Sequence, residues 1–345
     1  MEKKVTIYTL AEKLNMSVSA VSRAFTPNSK LNAEKRKIIL EAAEKYGYVQ
    51  NKMASRLSQN PFHIGVIMRG RIEAYYHQMT DGINAAFLEF KDYKVSYDLR
   101  NYKPGEFTVE KACKTLDEFL EKKYDAVIVH GLYNQDMINK VNQLADAGIK
   151  VVTLHNDMTG TKRLFCSTTN IAIAASMVAQ LFDILLPKNH RNIAVFTGSM
   201  QSPIHQGLVF NFSNHASRYG LNLIQPYDTL DIPDIAERLV EEAFATNAEI
   251  NGIYISSANS IPICRFLEKH ELGDKIAVIA SDVFEELSEY IRKGIVKATI
   301  FQDPFAQGYN AFAKLYHYLA ESEPVQPVVT TKPQIVLESN LSLYE

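Results

Sequence analysis

The sequence of 345 residues predicts a small all-α head followed by an α/β body of two lobes, and three observations support this fold class. Residues 5–46 have the apolar spacing of three short helices. Beyond Pro61, short apolar runs alternate with amphipathic segments in two successive sets of four, which is typical of parallel sheets wound with helices. The charge is also divided, because residues 1–60 hold 11 Lys and Arg against 5 Asp and Glu, whereas the rest of the chain has a net charge of −8.

The head is predicted from its helix caps. Thr6, Ser17 and Asn32 each stand just before an apolar-periodic segment, and their side chains can accept hydrogen bonds from the first turn of a helix. Asn15 can adopt the left-handed conformation that ends the first helix, and Gly47 ends the third. A short turn between the first two helices predicts a helix-turn-helix unit.

The body is predicted from its strands. They begin at His63, Lys94, Ala126 and Val151 in the first lobe, and at Ile193, Leu221, Gly252 and Ala277 in the second. Two more strands, from Val296 and near 334–337, are expected to join one lobe each where the chain crosses back. The predicted domains are 1–49 (head), 50–61 (hinge helix and linker) and 62–345 (body), with lobe one at about 62–160 plus 293–322 and lobe two at about 161–292 plus 323–345.

Composition excludes several classes of protein. Cys113, Cys166 and Cys264 are far apart, so we expect neither a disulfide framework nor a cysteine-based metal site, and we expect no cofactor. The first 20 residues lack the apolar core of a signal peptide, and no run of 18 apolar residues occurs. We therefore expect a cytoplasmic protein without a membrane partner. The net charge of +6 on residues 1–60 indicates an anionic partner for the head.

The second predicted helix offers a surface for DNA. A helix that enters the major groove needs short side chains, so that its backbone approaches the bases, together with a few hydrogen-bond donors. The segment VSAVSR (18–23) has that character. A three-helix module for protein contacts is the alternative, and the basic charge favours DNA.

The head also resembles a known family. VTIYTLAEKLNMSVSAVSRAF, followed by EKRKIILEAAEKYGYVQNKMASRLS, resembles the DNA-binding domain of the lac repressor (LacI/GalR) family over about 58 residues. The resemblance implies a homodimer on a pseudo-palindromic double-stranded DNA operator. It implies base contacts from Val18, Ser19 and Ala20, with Tyr8, Ser22 and Arg23 beside them. It implies phosphate contacts from Thr6, Ser17, Thr26, Lys30 and Asn32.

The segment NKMASRLS (51–58) is too short to be a stable helix in water. By the same resemblance it folds on DNA, with Asn51, Ala54 and Leu57 at the hinge positions and Leu57 entering the minor groove as an apolar wedge. The sequence has Gln50 where a proline is usual. A plain linker leading to Pro61 is the alternative interpretation.

The body is predicted to hold a ligand cleft. Ligands of open α/β sheets bind at the carboxyl ends of strands, where this sequence has polar and aromatic residues from both lobes. The candidates are Arg69, Tyr75, Tyr76, His155, Asn156, Gln206, Ser257, Asp282 and Gln302. Some polar residues at these ends can be helix caps instead, namely Ser199, Ser257 and Asn259.

The segment KGIVKATIFQDPFAQGYNAF (293–312) and, more weakly, AVIASD (277–282) resemble the ribose-type periplasmic sugar-binding proteins, which are related to the effector domains of the lac repressor family. The resemblance implies a type I periplasmic-binding-protein-like body in which Asp282 and Gln302 bind sugar hydroxyls and Tyr75 and Tyr76 stack on the ligand. Three contacts depart from the sugar-binding pattern. His155-Asn156 replaces an Asp-Arg pair, Gln206 replaces an arginine, and Ser257-Ala258 replaces Asn-Asp.

These patterns predict a transcription repressor whose operator affinity is controlled by a small sugar or polyol effector. The alternative is a sugar-processing enzyme fused to a DNA-binding head. Against it, the sequence has no GxGxxG, GxxxxGK[ST], GxSxG or HExxH motif, and its nine histidines lack metal-ligand spacing. Arg69 and Arg71 leave open an acidic sugar as the ligand.

Overall fold

The computed structural model describes residues 5–25, 29–48, 60–69, 72–103, 105–247 and 249–345. The chain divides into two units, of which one comprises Met1–Pro61 with His317–Pro324 and the other Phe62–Tyr316 with Val325–Glu345. Among the described residues, no helix combines the length and the apolar character that a bilayer crossing requires. Four predicted DNA-contact residues lie outside the described residues, together with most of the predicted hinge: Thr26, Asn51, Ala54 and Leu57.

The first unit contains three short helices, α1 (Ile7–Leu14), α2 (Val18–Ala24) and α3 (Ala33–Lys45). Each predicted cap accepts a backbone N–H of its helix: Thr6 Oγ1 from Thr9 at 3.2 Å, Ser17 Oγ from Ala20 at 3.1 Å, and Asn32 Oδ1 from Glu34 at 2.8 Å. Asn15 ends α1 with φ 50°, in the left-handed region that asparagine tolerates. The caps therefore set the helix bounds where the sequence predicted them.

A small apolar core lies among these three helices. It is formed by one face of each, with Leu10, Val21, Ala24 and Ile39 fully buried. Because successive residues of a helix are rotated by about 100°, burying Val21 and Ala24 turns Ser19 and Arg23 to solvent. The exposed face of α2 thus carries short polar side chains, apart from the longer side chain of Arg23.

The body contains two sheets, one in each lobe. Lobe one has six parallel strands: β1 (Phe62–Arg69), β2 (Val95–Tyr102), β3 (Ala126–His130), β4 (Lys150–Leu154), β5 (Phe165–Thr169) and β12 (Val328–Thr331), in the order β12-β5-β4-β3-β1-β2. Lobe two has β6 (Asn192–Thr197), β7 (Asn222–Leu223), β8 (Tyr227–Asp228), β9 (Gly252–Ile255), β10 (Ala277–Ser281), β11 (Val296–Phe301) and β13 (Gln334–Val336). Its order is β13-β11-β10-β9-β6-β7 with β8 beside β6, and β13 is antiparallel to β11.

Helices cover the sheets, so strands such as β3 and β10 are buried along their whole length and are apolar up to their last residues, His130 and Ser281. They are α4 (Glu73–Phe90), α5 (Val109–Glu121), α6 (Gln135–Asp146), α7 (Ile171–Leu185), α8 (Pro203–Arg218), α9 (Pro233–Thr246), α10 (Ile261–Lys269), α11 (Glu285–Arg292) and α12 (Pro304–Glu321). The connections place the carboxyl ends of the parallel strands of each lobe at one edge. This edge is where a ligand cleft is expected in such sheets.

Helices α4 and α12 pack in backbone contact in lobe one. A Cβ atom added at Gly82 would lie 2.0 Å from the carbonyl oxygen of Phe305, and one added at Gly308 would lie 2.0 Å from that of Met79. Glycine is therefore the residue that lets the two helices approach this closely.

The predicted lobe boundaries need correction at three strands. The sequence predicts β5 (within 161–292) and β12 (within 323–345) in lobe two. Both strands lie in the sheet of lobe one. Conversely β11, expected in lobe one with 293–322, pairs with β10 in lobe two. The strands near Val296 and 334–337 thus both join lobe two instead of one lobe each. The run FCSTT of β5 is mostly polar, so the apolar pattern does not reveal this strand, and the boundary between the lobes was predicted before it.

Candidate functional site

A cleft lies between the carboxyl ends of the strands of the two lobes. It has an outer part of about 530 Å³ and a small inner pocket of about 30 Å³. Both parts are lined by Tyr76, His155, His205 and Asp231, so they form one continuous cleft. Its position is the one that the strand ends predicted.

Asp282 and Gln302 form the polar floor of the inner pocket. Asp282 follows β10, and its Oδ1 accepts the backbone N–H of Gln302 at 2.9 Å while its Oδ2 accepts from Gln302 Nε2 at 2.8 Å. Burial raises the pKa of Asp282 to about 7, although these two hydrogen bonds favour its ionised form. The carboxyl group is thus held in one orientation, with lone pairs left for a ligand.

Two residues that line the inner pocket each have a buried side-chain atom with no hydrogen-bond partner among the described residues. These atoms are Gln302 Oε1 and His205 Nδ1. Buried polar atoms are nearly always hydrogen-bonded in proteins, because an unpaired one costs about 1–3 kcal/mol. The inner pocket therefore offers unsatisfied hydrogen-bonding positions to a small polar molecule.

Lobe one contributes a cluster of aromatic and imidazole rings. The ring centroid of Tyr76 lies 5.3 Å from that of Tyr75 and 4.9 Å from that of His130, and His130 stacks on His155 at 5.5 Å. The Tyr75 hydroxyl lies 3.2 Å from His155 Nδ1. Tyr75 is buried within the cluster, whereas Tyr76 is only half-buried and lines both parts of the cleft.

Burial keeps these imidazoles neutral. It lowers the pKa of His155 to about 3, with a further contribution from the charge of His205, and it lowers the pKa of His130 well below the ordinary value. Neutral rings present one donor and one acceptor each. The cluster is therefore suited to binding a polar ring and poorly suited to accepting a proton.

Three residues that line the cleft have positive φ angles although they are not glycine. The values are 68° for His155, 54° for Asp231 and 66° for Asp282. His, Asp and Asn tolerate this region better than other types, and backbone strain of this kind is concentrated at functional sites.

Several hydrogen bonds join the lobes beside the cleft. Ser202 Oγ donates to Asn156 Oδ1 at 2.7 Å, and Gln78 Nε2 donates to the carbonyl oxygen of Val283 at 2.9 Å. Asn156, a predicted ligand contact, thus also connects lobe one to the start of α8 in lobe two.

The remaining predicted cleft residues have different locations. Ser257 lines the inner pocket, and its Oγ accepts the backbone N–H of Asn259 in a local turn. The cap interpretation is wrong for Ser257, because Ser260 occupies the N-cap position of the helix that follows. Arg69 lines the outer part. Gln206 does not line the cleft, because its side chain is exposed and its Nε2 donates to the carbonyl oxygen of Met200 at 2.6 Å.

Sequence reasoning missed His205 and Asp231, which face each other at 3.6 Å. Both lie against Gly198, where an added Cβ would come within 2.4 Å of His205 Nε2 and 2.6 Å of Asp231 Oδ1. Pro203 at the start of α8 signals that the first turn follows a strand end, and this turn carries His205. No comparable sequence pattern indicates that Asp231 lies at the cleft, because the strand before it, β8, is only two residues long.

The predicted DNA-contact residues that the structure describes lie on or beside α1 and α2, or near the start of α3. Tyr8 is 71% exposed. Thr6, Ser17, Ser19, Arg23, Lys30 and Asn32 are also exposed, and Val18, Ala20 and Ser22 are half-buried. Their side chains can therefore reach a partner, and no described contact assigns that partner.

A group of potential metal ligands lies at the end of α12. His317, Glu321 and Glu323 offer ligand atoms within 4.8 Å of one another, and His317 Nδ1 is 3.4 Å from Glu321 Oε1. We assign no metal to this group, because such partly exposed carboxylates are common on surfaces and His317 pairs with Glu321 on one helical turn.

Comparison with known proteins identifies the body. The family model for the periplasmic binding protein domain matches residues 64–323. The chain belongs to the periplasmic binding protein domain family. This match confirms the predicted periplasmic-binding-protein-like body.

Catabolite control protein A of Priestia megaterium is 27% identical over 226 residues, which cover 65% of this chain and 64% of that protein. The chain thus spans less than two thirds of the length of this curated relative. Two solved structures share the fold: a glucose-galactose binding protein from Geobacillus stearothermophilus (TM-score 0.73, 21% identity, 82% of this chain and 99% of that chain) and a putative LacI transcriptional regulator from Bacteroides fragilis (TM-score 0.72, 17% identity, 83% and 100%).

Proposed function

We propose that the protein is a cytoplasmic transcription repressor of the LacI type, which binds an operator as a homodimer and responds to a small polyhydroxylated effector. The observation that carries the DNA-binding half is the exposed face of α2, on which Ser19 and Arg23 project from a helix fixed by its Ser17 cap. Short side chains let the helix backbone approach base edges, and an arginine adds a strong donor for bases or phosphates.

The unsatisfied atoms of the inner pocket support the effector half. Gln302 Oε1 needs a donor, His205 Nδ1 needs a partner, and the Asp282 carboxyl retains free lone pairs. A molecule with several hydroxyls supplies donors and acceptors to all of them, and Tyr76 offers its ring to the apolar side of a sugar ring. The likeness to a glucose-galactose binding protein supports the same class of ligand.

Coupling between the two functions follows from the cleft. A ligand bound by both lobes favours one separation of the lobes, and a lobe movement that alters the spacing of paired heads alters operator affinity. Thermodynamic reciprocity then requires that operator DNA change the affinity for the ligand by the same factor.

The experiment that tests DNA binding is fluorescence anisotropy with DNA from the region upstream of the gene. We expect affinity to fall about 10³-fold between 50 and 200 mM salt if about six phosphates are contacted. Arg23→Ala is expected to weaken binding to all sites, and Ser19→Ala to change which site is preferred. Lys188→Ala, an equally charge-removing change at an exposed body residue, is the matched control and is expected to leave binding unchanged.

Salt-independent binding, or an equal loss in Lys188→Ala, contradicts the proposal. The effector half is tested separately by thermal shift with sugars and polyols, since a ligand specific to the folded state raises the melting temperature. Turnover of a sugar in the same samples would instead support the enzyme alternative.

A further inference from the structure

The outer part of the cleft carries two cationic side chains on its lobe-one side. Arg69 is the last residue of β1, and Lys103 follows the last residue of β2. The two strands are parallel and pair Arg69 with Tyr102, so both cations leave the sheet at the same edge. Both line the outer cleft of about 530 Å³.

The guanidinium of Arg69 is held toward the cleft. Its Cζ atom lies 5.1 Å from the centroid of the Phe107 ring, which also lines the cleft. The positive charge of Arg69 contributes to lowering the pKa of both His130 and His155, after the larger effect of burial. The charge is therefore felt at the lobe-one ring cluster and is positioned beside any ligand that contacts Tyr76.

The lobe-two side has the opposite character. Asp282 and Gln302 line the inner pocket, and Asp231 lies opposite His205 at 3.6 Å. Asp282 and Gln302 thus lie inside, Asp231 and His205 border both parts, and Arg69 and Lys103 lie outside, along one continuous cleft. A ligand that matches this arrangement has hydroxyls at one end and a negative charge at the other.

We propose that the effector is a polyhydroxylated molecule with an anionic group, a phosphate ester or a carboxylate, which Arg69 and Lys103 bind in the outer cleft. This inference rests on the proposed binding of a polyol in the inner pocket and adds a charge requirement to it. Arginine binds both kinds of anion in bidentate fashion, and lysine adds a point charge.

Matched ligand pairs test the charge requirement by isothermal titration calorimetry on the full chain. The probes are glucose with glucuronate and glucose 6-phosphate, ribose with ribonate and ribose 5-phosphate, and myo-inositol with inositol 1-phosphate. We expect at least one acidic member to bind about 10-fold or more tightly than its neutral parent at 50 mM NaCl. We also expect this advantage to shrink at 500 mM NaCl, where charges are screened. Comparison of the carboxylates with the phosphates identifies the anion.

Arg69→Gln is expected to remove most of the advantage of the acidic ligand over its neutral parent. Lys103→Gln, at an exposed residue whose replacement leaves the core intact, is expected to remove a smaller part. Lys162→Gln is the matched control, because Lys162 is a lobe-one cation whose Nζ pairs with Asp146 at 2.6 Å and which does not line the described cleft.

Equal binding of neutral and acidic members, or a full advantage retained in both Arg69→Gln and Lys103→Gln, overturns the charge requirement and leaves the proposed regulator intact. Binding by no member of the panel overturns the polyol effector as well. DNA binding is measured independently, so the failure of each proposal is distinguishable.

Discussion

Lobe one and lobe two both consist of a mainly parallel sheet covered by helices, yet the ends of their strands carry different chemistry. Lobe one presents phenol, imidazole and cationic side chains from Tyr76, His155 and Arg69. Lobe two presents a carboxyl group and an amide from Asp282 and Gln302. Similar frameworks therefore supply complementary halves of one cleft, and the identity of the ligand is determined by a few residues after each strand.

The helix packing of the two lobes differs as well, and this gives the largest expected effect. Gly308→Ala is expected to lower the stability of the body by on the order of 3 kcal/mol, because its Cβ would meet the backbone of Met79 at 2.0 Å and α4 cannot move without disturbing lobe one. The matched change in lobe two is Gly207→Ala, where the Cβ would meet only the tip of the Ile171 side chain at 2.4 Å. A rotamer change relieves that contact, so the expected cost is below about 1 kcal/mol.

Urea denaturation of the two glycine variants measures this difference. Equal destabilisation by both changes would show that the backbone contact between α4 and α12 has no special role in lobe one.

The buried ionisable groups of the two lobes are expected to respond to pH in opposite directions. The pKa of Asp282, about 7 when folded, exceeds the ordinary carboxyl value of about 3.9, so its ionisation opposes folding increasingly as pH rises through this range. Asp282→Asn is therefore expected to melt several degrees above the parent at pH 8, and the difference in melting temperature is expected to narrow as the pH falls toward 4. In contrast, the pKa of His155 is about 3, below its ordinary value, so its protonation opposes folding as pH falls below about 6.5.

His155→Asn is accordingly expected to be the more acid-resistant variant, with its gain over the parent appearing only below about pH 6. Melting temperatures across pH 4 to 9 test both signs together. If the difference in melting temperature between either variant and the parent is constant with pH, the residue does not titrate as its burial implies.

The smallest expected effect concerns the hydrogen bond between the lobes. Ser202→Ala removes the donor to Asn156 Oδ1, but Ile204 N still donates to this oxygen at 3.4 Å, so the acceptor keeps a partner. We expect a loss of about 3-fold to 10-fold in ligand affinity. A net hydrogen bond is worth about 0.5–1.5 kcal/mol, and its loss weakens the connection between the two lobes that bind the ligand. Ser217→Ala, at an exposed serine within lobe two, is the control. An unchanged affinity in Ser202→Ala would show that this bond does not contribute to closure.

The parts of the cleft that depend on long apolar strands were predictable from the sequence. Asp282 and Gln302 follow buried strands whose ends are clear, and both line the inner pocket. Asp231 was not predictable, because β8 is two residues long and has no periodicity to detect. The prediction that Gln206 contacts the ligand was wrong by one position. Neighbouring helical residues are rotated by about 100°, so His205 lines the cleft whereas Gln206 is exposed to solvent.

The left-handed backbone at His155, Asp231 and Asp282 limits how this cleft can diverge. Most side chains cost about 1 kcal/mol or more in that conformation, and β-branched types are excluded almost entirely. At these three positions, variants that keep the fold are thus expected to avoid β-branched side chains above all, although other residue types do adopt positive φ angles elsewhere in this chain, as at Lys94 and Leu230. A change of ligand during evolution is therefore less constrained at neighbours that are absent from this set of positive-φ residues, such as Tyr76, Arg69 and Gln302.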